Sequence, residues 1–147
     1  ALVNNVGAAG TIARAHAHLM PEQLPFLAAL RERAGPTDLI DVPDVVQLVQ
    51  KDVPFCLLGV RGPAAARALT IHRLAEARMT PAWNVVVQDG TAWLNPRRVE
   101  IPAPHFPYAL GGSEIWGRWC YLEREPFDAA TGAELERALV LAGTPPL

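Results

Sequence analysis

The sequence predicts an α+β fold: an antiparallel sheet of about four strands with a central hairpin on an Asp-Gly turn, covered on one face by three or four helices. Three observations carry this. In WNVVVQDGTAWLNPRRVEI, residues 83–101, Asp89-Gly90 separates two runs of strand-forming residues. A two-residue turn of that kind needs positive φ at both central positions, which Gly and Asp tolerate. Apolar runs of strand length lie at 53–60 and 115–124, and helix-period segments with stop signals lie at 21–34, 63–79 and 132–142.

In chain order, residues 2–19 carry apolar points at Val3, Val6, Ile12, Ala13, Ala17 and Leu19 and read as a loose helix, weakened by Gly7 and Gly10. PEQLPFLAALRERA at 21–34 is a helix with Leu24, Phe26, Leu27 and Leu30 on one face, stopped by Gly35-Pro36. DVPDVVQLVQK at 41–51 reads as a short helix capped by Asp41, with Val42, Val45, Val46 and Val49 at 3–4 spacing. VPFCLLGV at 53–60 fits a strand buried on both faces. Helix 63–79 opens at Pro63 and carries Ala64, Ala68, Ile71, Leu74, Ala75 and Met79 on its apolar stripe. The hairpin register pairs Gln88 with Thr91, Val87 with Ala92, Val86 with Trp93 and Val85 with Leu94, and 98–102 extends the meander. PAPHFPYALGGSE at 102–114 is the longest irregular stretch; IWGRWCYLER at 115–124 reads as a central strand, apolar on both sides. Thr131-Gly-Ala-Glu134 is a capping-box pattern for a helix ending at Gly143.

The chain of 147 residues is one domain's worth, residues 1–147, with ordinary globular composition. No apolar run reaches the ~20 residues of a membrane helix, so no membrane partner is expected. The N-terminus has no basic leader ahead of an apolar core, and the two cysteines, Cys56 and Cys120, form no CxxC pair. Both lie in apolar runs and read as buried free thiols. A cytoplasmic protein is the expectation.

Net charge is −2, which gives no global pull toward nucleic acid. The charge is polarised, however: −2 over residues 1–60, +4 over 61–98 and −4 over 99–147. The binding candidates are therefore Arg61, Arg67, Arg73, Arg97 and Arg98 on the helix–hairpin surface, with His105, Phe106 and Tyr108 from the stiffened aromatic loop.

No catalytic residue is assignable. A nucleophile elbow, a phosphate-cradling Gly-rich loop and an HExxH are all absent, and either cysteine with His72 or His105 makes a weak nucleophile–base pair while the thiols read as buried. His16 and His18 would share one side on an extended backbone but not on a helix, and no further ligand sits at metal spacing, so no metal and no cofactor is expected. The first reading is a non-catalytic regulatory module, a homodimer or a partner-binding domain, acting through protein–protein contacts. The second is a DNA- or RNA-binding regulator. Helix 63–79 followed by the hairpin resembles the recognition helix and wing of a winged helix, although an apolar run at 53–60 stands where that fold has a short turn. The third is a small-molecule enzyme with a site at the 102–114 loop, drawing on His105, Tyr108 and Glu114.

Overall fold

The computed structural model describes residues 1–147 except 13, 15, 23–25, 27, 28, 30–32, 78 and 79. Its centre is the hairpin. β5 (Ala82–Gln88) and β6 (Thr91–Arg97) pair in the register read from the sequence, Gln88 opposite Thr91 and Val86 opposite Trp93. Asp89 and Gly90 take φ of 46° and 76°, the left-handed conformations a two-residue turn demands.

The sheet has six strands, not four, in the order β1-β5-β6-β4-β3-β2, antiparallel throughout. The additional members are β1 (Leu2–Asn4), β2 (Ala34–Thr37) and β3 (Val46–Gln50), with β4 (Leu58–Arg61) joining them to the hairpin. Each corrects a sequence expectation. Residues 2–4 begin no helix; they form an edge strand followed by a turn at 6–9. Gly35-Pro36, expected to stop a helix, lies in the opposite edge strand, where a residue without an amide donor is tolerated. The helix expected over 21–34 falls largely outside the described residues. Residues 46–50 are a strand because both neighbours hydrogen-bond to them, so the 3–4 valine spacing that suggested a helix was coincidental. Pro43 and Asp44, at φ 63°, turn the chain just before it.

Both faces of the sheet are covered, a second correction. Helix α1 (Ala64–Ala77) lies on one face, with Leu74 buried above Val49, Leu58, Val60, Val85 and Leu94. The other face is covered by the 102–116 segment, which includes α2 (Gly112–Ile115), and by the last helix, α4 (Gly132–Ala142), whereas α3 (Arg124–Ala129) buries no residue and sets Phe127 against Tyr121. No strand forms at 115–124. Gly117 turns the chain at φ 96°, its amide returning to Glu114 O. Trp119 and Tyr121 instead meet the buried ring of Phe106 edge-on, at 5.1 and 5.4 Å between centroids. Thr131 caps α4 by accepting from the Glu134 amide at 3.3 Å.

One row of this second face organises the molecule. Leu48, Gly59, Trp93, Val86, Leu2 and His18 stand directly opposite one another across five strands and a final isolated bridge. Directly paired residues share a face. Trp93 at the row's centre is fully buried. Gly59 makes room for it: a Cβ there would lie 2.9 Å from the indole. The row ends at the open edge in His18.

Candidate functional site

The edge of the sheet at β1 is where chemistry-bearing side chains converge. His18 N donates to Leu2 O at 2.8 Å, and Leu2 N donates to His18 O at 2.9 Å. This pair adds one extended residue beyond β1. It sends the imidazole to the same face as Leu2. The His16 ring lies 5.2 Å from that of His18, edge to face, so the two histidines share a side as an extended HAH requires. The helix expected through 2–19 had argued against that arrangement.

The approach to this edge is built by NNVGAAG. Asn5 O accepts from the amides of Ala8 and Gly10, closing a tight turn. Gly10 cannot carry a side chain, since a Cβ would stand 2.5 Å from the Asn5 carbonyl. Asn5 Oδ1 accepts from Trp83 N at 2.6 Å, and Glu100 Oε1 accepts from Ala9 N at 3.0 Å, fixing the turn to the body.

A groove of about 350 Å³ opens there, lined by Leu2, Asn4, His18, Leu19, Met20, Ser113, Arg118 and Cys120. The sheet edge supplies the first five. α2 supplies Ser113, and the chain just after it supplies Arg118 and Cys120. The side chain of Arg118 is half exposed and reaches Glu22 Oε2 at 3.0 Å. Ser113 Oγ donates to Glu114 Oε2 at 2.8 Å, which leaves the hydroxyl's lone pairs for a donor in the groove. Glu114 is buried, also accepting from Gly111 N at 3.0 Å. The His18 imidazole has no hydrogen-bond partner among the described residues, whereas His16 Nδ1 donates to Arg14 O at 2.9 Å.

Behind the groove runs a buried polar row on the same face of the sheet. Asn4 Oδ1 accepts from Gly112 N at 3.0 Å and from Asn84 Nδ2 at 2.8 Å. Asn84 Oδ1 accepts in turn from Arg97 Nη1 at 2.8 Å. Arg97 donates further to Leu110 O, Ala142 O and Val99 O. Burial brings its guanidinium down to about 10, against the opposing pull of the Glu100 and Glu114 carboxylates. Arg97 therefore binds the 110–114 segment to the sheet while remaining charged near neutrality.

The residues singled out in the sequence do not share one surface. Arg97 and Phe106 are buried. Arg67 Nη1 donates to the carbonyls of Gly62 and Gly90, holding the hairpin turn to the helix, and Arg73 Nη1 donates to Asp41 O. Arg61 and Arg98 are exposed, the latter donating to Val140 O. Tyr108 is half-buried in the aromatic cluster. His105 lines a separate hollow with Arg98, Arg137 and Val140. Its Nδ1 donates to Glu134 Oε2 at 2.6 Å, and this bond, with Arg137 alongside, holds the Glu134 carboxyl below the usual range. Of the loop residues named for an enzyme, Glu114 adjoins the groove. His18, Ser113 and Arg118 were not selected from the sequence. The signal available was HAH after a glycine-rich turn, which becomes legible once the backbone is known to be extended.

Among the described residues, no group of three or more histidine, cysteine or carboxylate side chains is placed to hold a metal ion. Cys56 is buried and its thiol is pushed up by burial; Cys120 is exposed at the groove, pushed up by burial and by Glu114. Cys120 thus departs from the expected buried thiol. N-ethylmaleimide should modify one thiol per native chain, at Cys120, and two after denaturation, read by mass spectrometry; native modification of Cys56 would contradict the packing around it.

No protein-family model matches the sequence, and no curated protein matches it. In fold, the chain is similar to the crystal structure of a yeast Ap4A phosphorylase in complex with Ap4A, with a TM-score of 0.66 and 16% identity. The match covers 98% of this chain and 54% of that one, so the chain spans about half the length of its neighbour. The neighbour with this fold is an Ap4A phosphorylase, and a six-stranded antiparallel sheet is not the architecture of a winged helix. This likeness corrects the reading of a non-catalytic interaction module, which rested on the lack of a catalytic pattern in the linear sequence. Among the described residues, no helix is long and apolar enough to cross a membrane.

Proposed function

We propose that this chain is part or all of an enzyme that acts on a nucleotide at the phosphoanhydride, with the groove at the β1 edge as its site. The observation that carries this reading is the meeting of His18, Arg118 and Ser113 around one concavity. The likeness in fold to an Ap4A phosphorylase supports it. Arg118 offers the groove a fixed positive charge with forked donors suited to phosphate oxygens. Ser113 accepts from a hydroxyl or amine of the ligand. The imidazole of His18, which has no hydrogen-bond partner among the described residues, is the group suited to proton transfer or attack at phosphorus. The apolar wall of Leu2, Leu19 and Met20 gives a base or sugar a surface to cover.

Titration calorimetry with Ap4A tests the binding half. The wild-type chain should bind, and Arg118→Ala should weaken binding about 10- to 100-fold, the range for a lost charge-assisted hydrogen bond. Equal binding by both proteins, or none by the wild type, would overturn the assignment of the groove.

A further inference from the structure

Arg118 is engaged by a carboxylate of this chain. Its Nη1 lies 3.0 Å from Glu22 Oε2. The pair spans two adjoining hollows. Arg118 lines the groove with His18, whereas Glu22 lines a neighbouring hollow of about 240 Å³ beside Pro21, Val87 and Gln88. Leu2 and Met20 line both. The ion pair is therefore a strap across the boundary between them.

We propose that Glu22 is the groove's own competing anion, which a ligand phosphate displaces from Arg118, so that opening the strap joins the two hollows into one trough. The inference rests on the groove being the anionic-ligand site proposed above. Three features support displacement over a fixed structural pair. Both side chains are well exposed, at 50% for Arg118 and 66% for Glu22, so the pair is weak and cheaply broken. Glu22 makes no other hydrogen bond or ion pair among the described residues, so it loses one partner and regains water. A phosphate group offers the guanidinium more acceptor oxygens and charge than one carboxylate. With the strap closed the pair is neutral overall, and the groove exerts little long-range pull on an anion. Removing the carboxylate exposes a net positive charge whose attraction is screened by salt. If Glu22 instead served to hold Arg118 in position, its removal would weaken binding, the opposite sign.

The experiment is calorimetric titration of inorganic tripolyphosphate and of Ap4A into wild type, Glu22→Gln, Arg118→Ala and the double variant, at low and high salt. Glu22→Gln should bind tripolyphosphate roughly two- to fivefold more tightly than wild type, with a steeper salt dependence. The gain should vanish in the Arg118→Ala background. Unchanged or weaker tripolyphosphate binding by Glu22→Gln, or a gain that survives in the double variant, would overturn the competition. So would no tripolyphosphate binding by either protein. The expected tripolyphosphate pattern with no Ap4A binding would uphold the competition and reject the nucleotide reading alone.

Discussion

Arg97→Ala should cost about 3–5 kcal/mol of stability, much of the roughly 5–15 kcal/mol that a domain possesses. Arg97 is 1% exposed and joins Asn84, Leu110 and Ala142, from three separate segments, together with Val99 two residues along the chain. Alanine would take the guanidinium donor from the buried Asn84 Oδ1 and Leu110 O, while Ala142 O keeps the Arg98 amide, and would open a void beneath the 110–114 segment. Arg97→Lys keeps the charge but not the fork, and should recover only part of the loss. Arg98→Ala is the control: its side chain is exposed with one carbonyl bond, so a change within about 0.5 kcal/mol is expected. Urea unfolding of the three variants reads this directly. Equal midpoints for the two alanine variants would mean that Arg97 does not hold the layers together.

His18→Ala should lower turnover of Ap4A with inorganic phosphate by about 10²–10⁴-fold, the usual contribution of a positioned acid, base or nucleophile. Affinity should stay within about threefold, because the phosphate-binding charge lies on Arg118. His16→Ala should fall short of this effect, since the Nδ1 of His16 is bonded to the Arg14 carbonyl. Stability should change little in His18→Ala, because the side chain is exposed and its sheet contact is made by backbone atoms. Steady-state rates with calorimetric affinities on the same preparations separate the two quantities. A His18→Ala protein with wild-type turnover would remove the imidazole from the reaction and leave the groove a binding site only.

Where local chemistry is decisive, the chain is readable from its residues. Asp89-Gly90 allows few turns, and alternation on either side then fixes the pairing of Val86 with Trp93. The helix at 64–77 and the Thr131 cap of the last helix also follow from near neighbours. The alternation that places Trp93 inward places Asn95 and Arg97 inward too, so the burial of Arg97 was available in the sequence. It was masked by the expectation that arginine beside arginine is a surface patch. β1, β2 and β3 were not legible, because a short edge segment becomes a strand only when a distant strand offers it hydrogen bonds. Residues 115–124 show the converse: an apolar run of strand length left the sheet because Phe106 offered its aromatic rings a better surface. The groove belongs to the same class of fact. His18, Asn4, Ser113 and Arg118 are up to 114 positions apart, and no spacing rule links them. Local sequence determined the hairpin, two helices and the residue types available. The sheet's edges, and the site that one of them carries, were decided by long-range pairing, which no short window of sequence encodes.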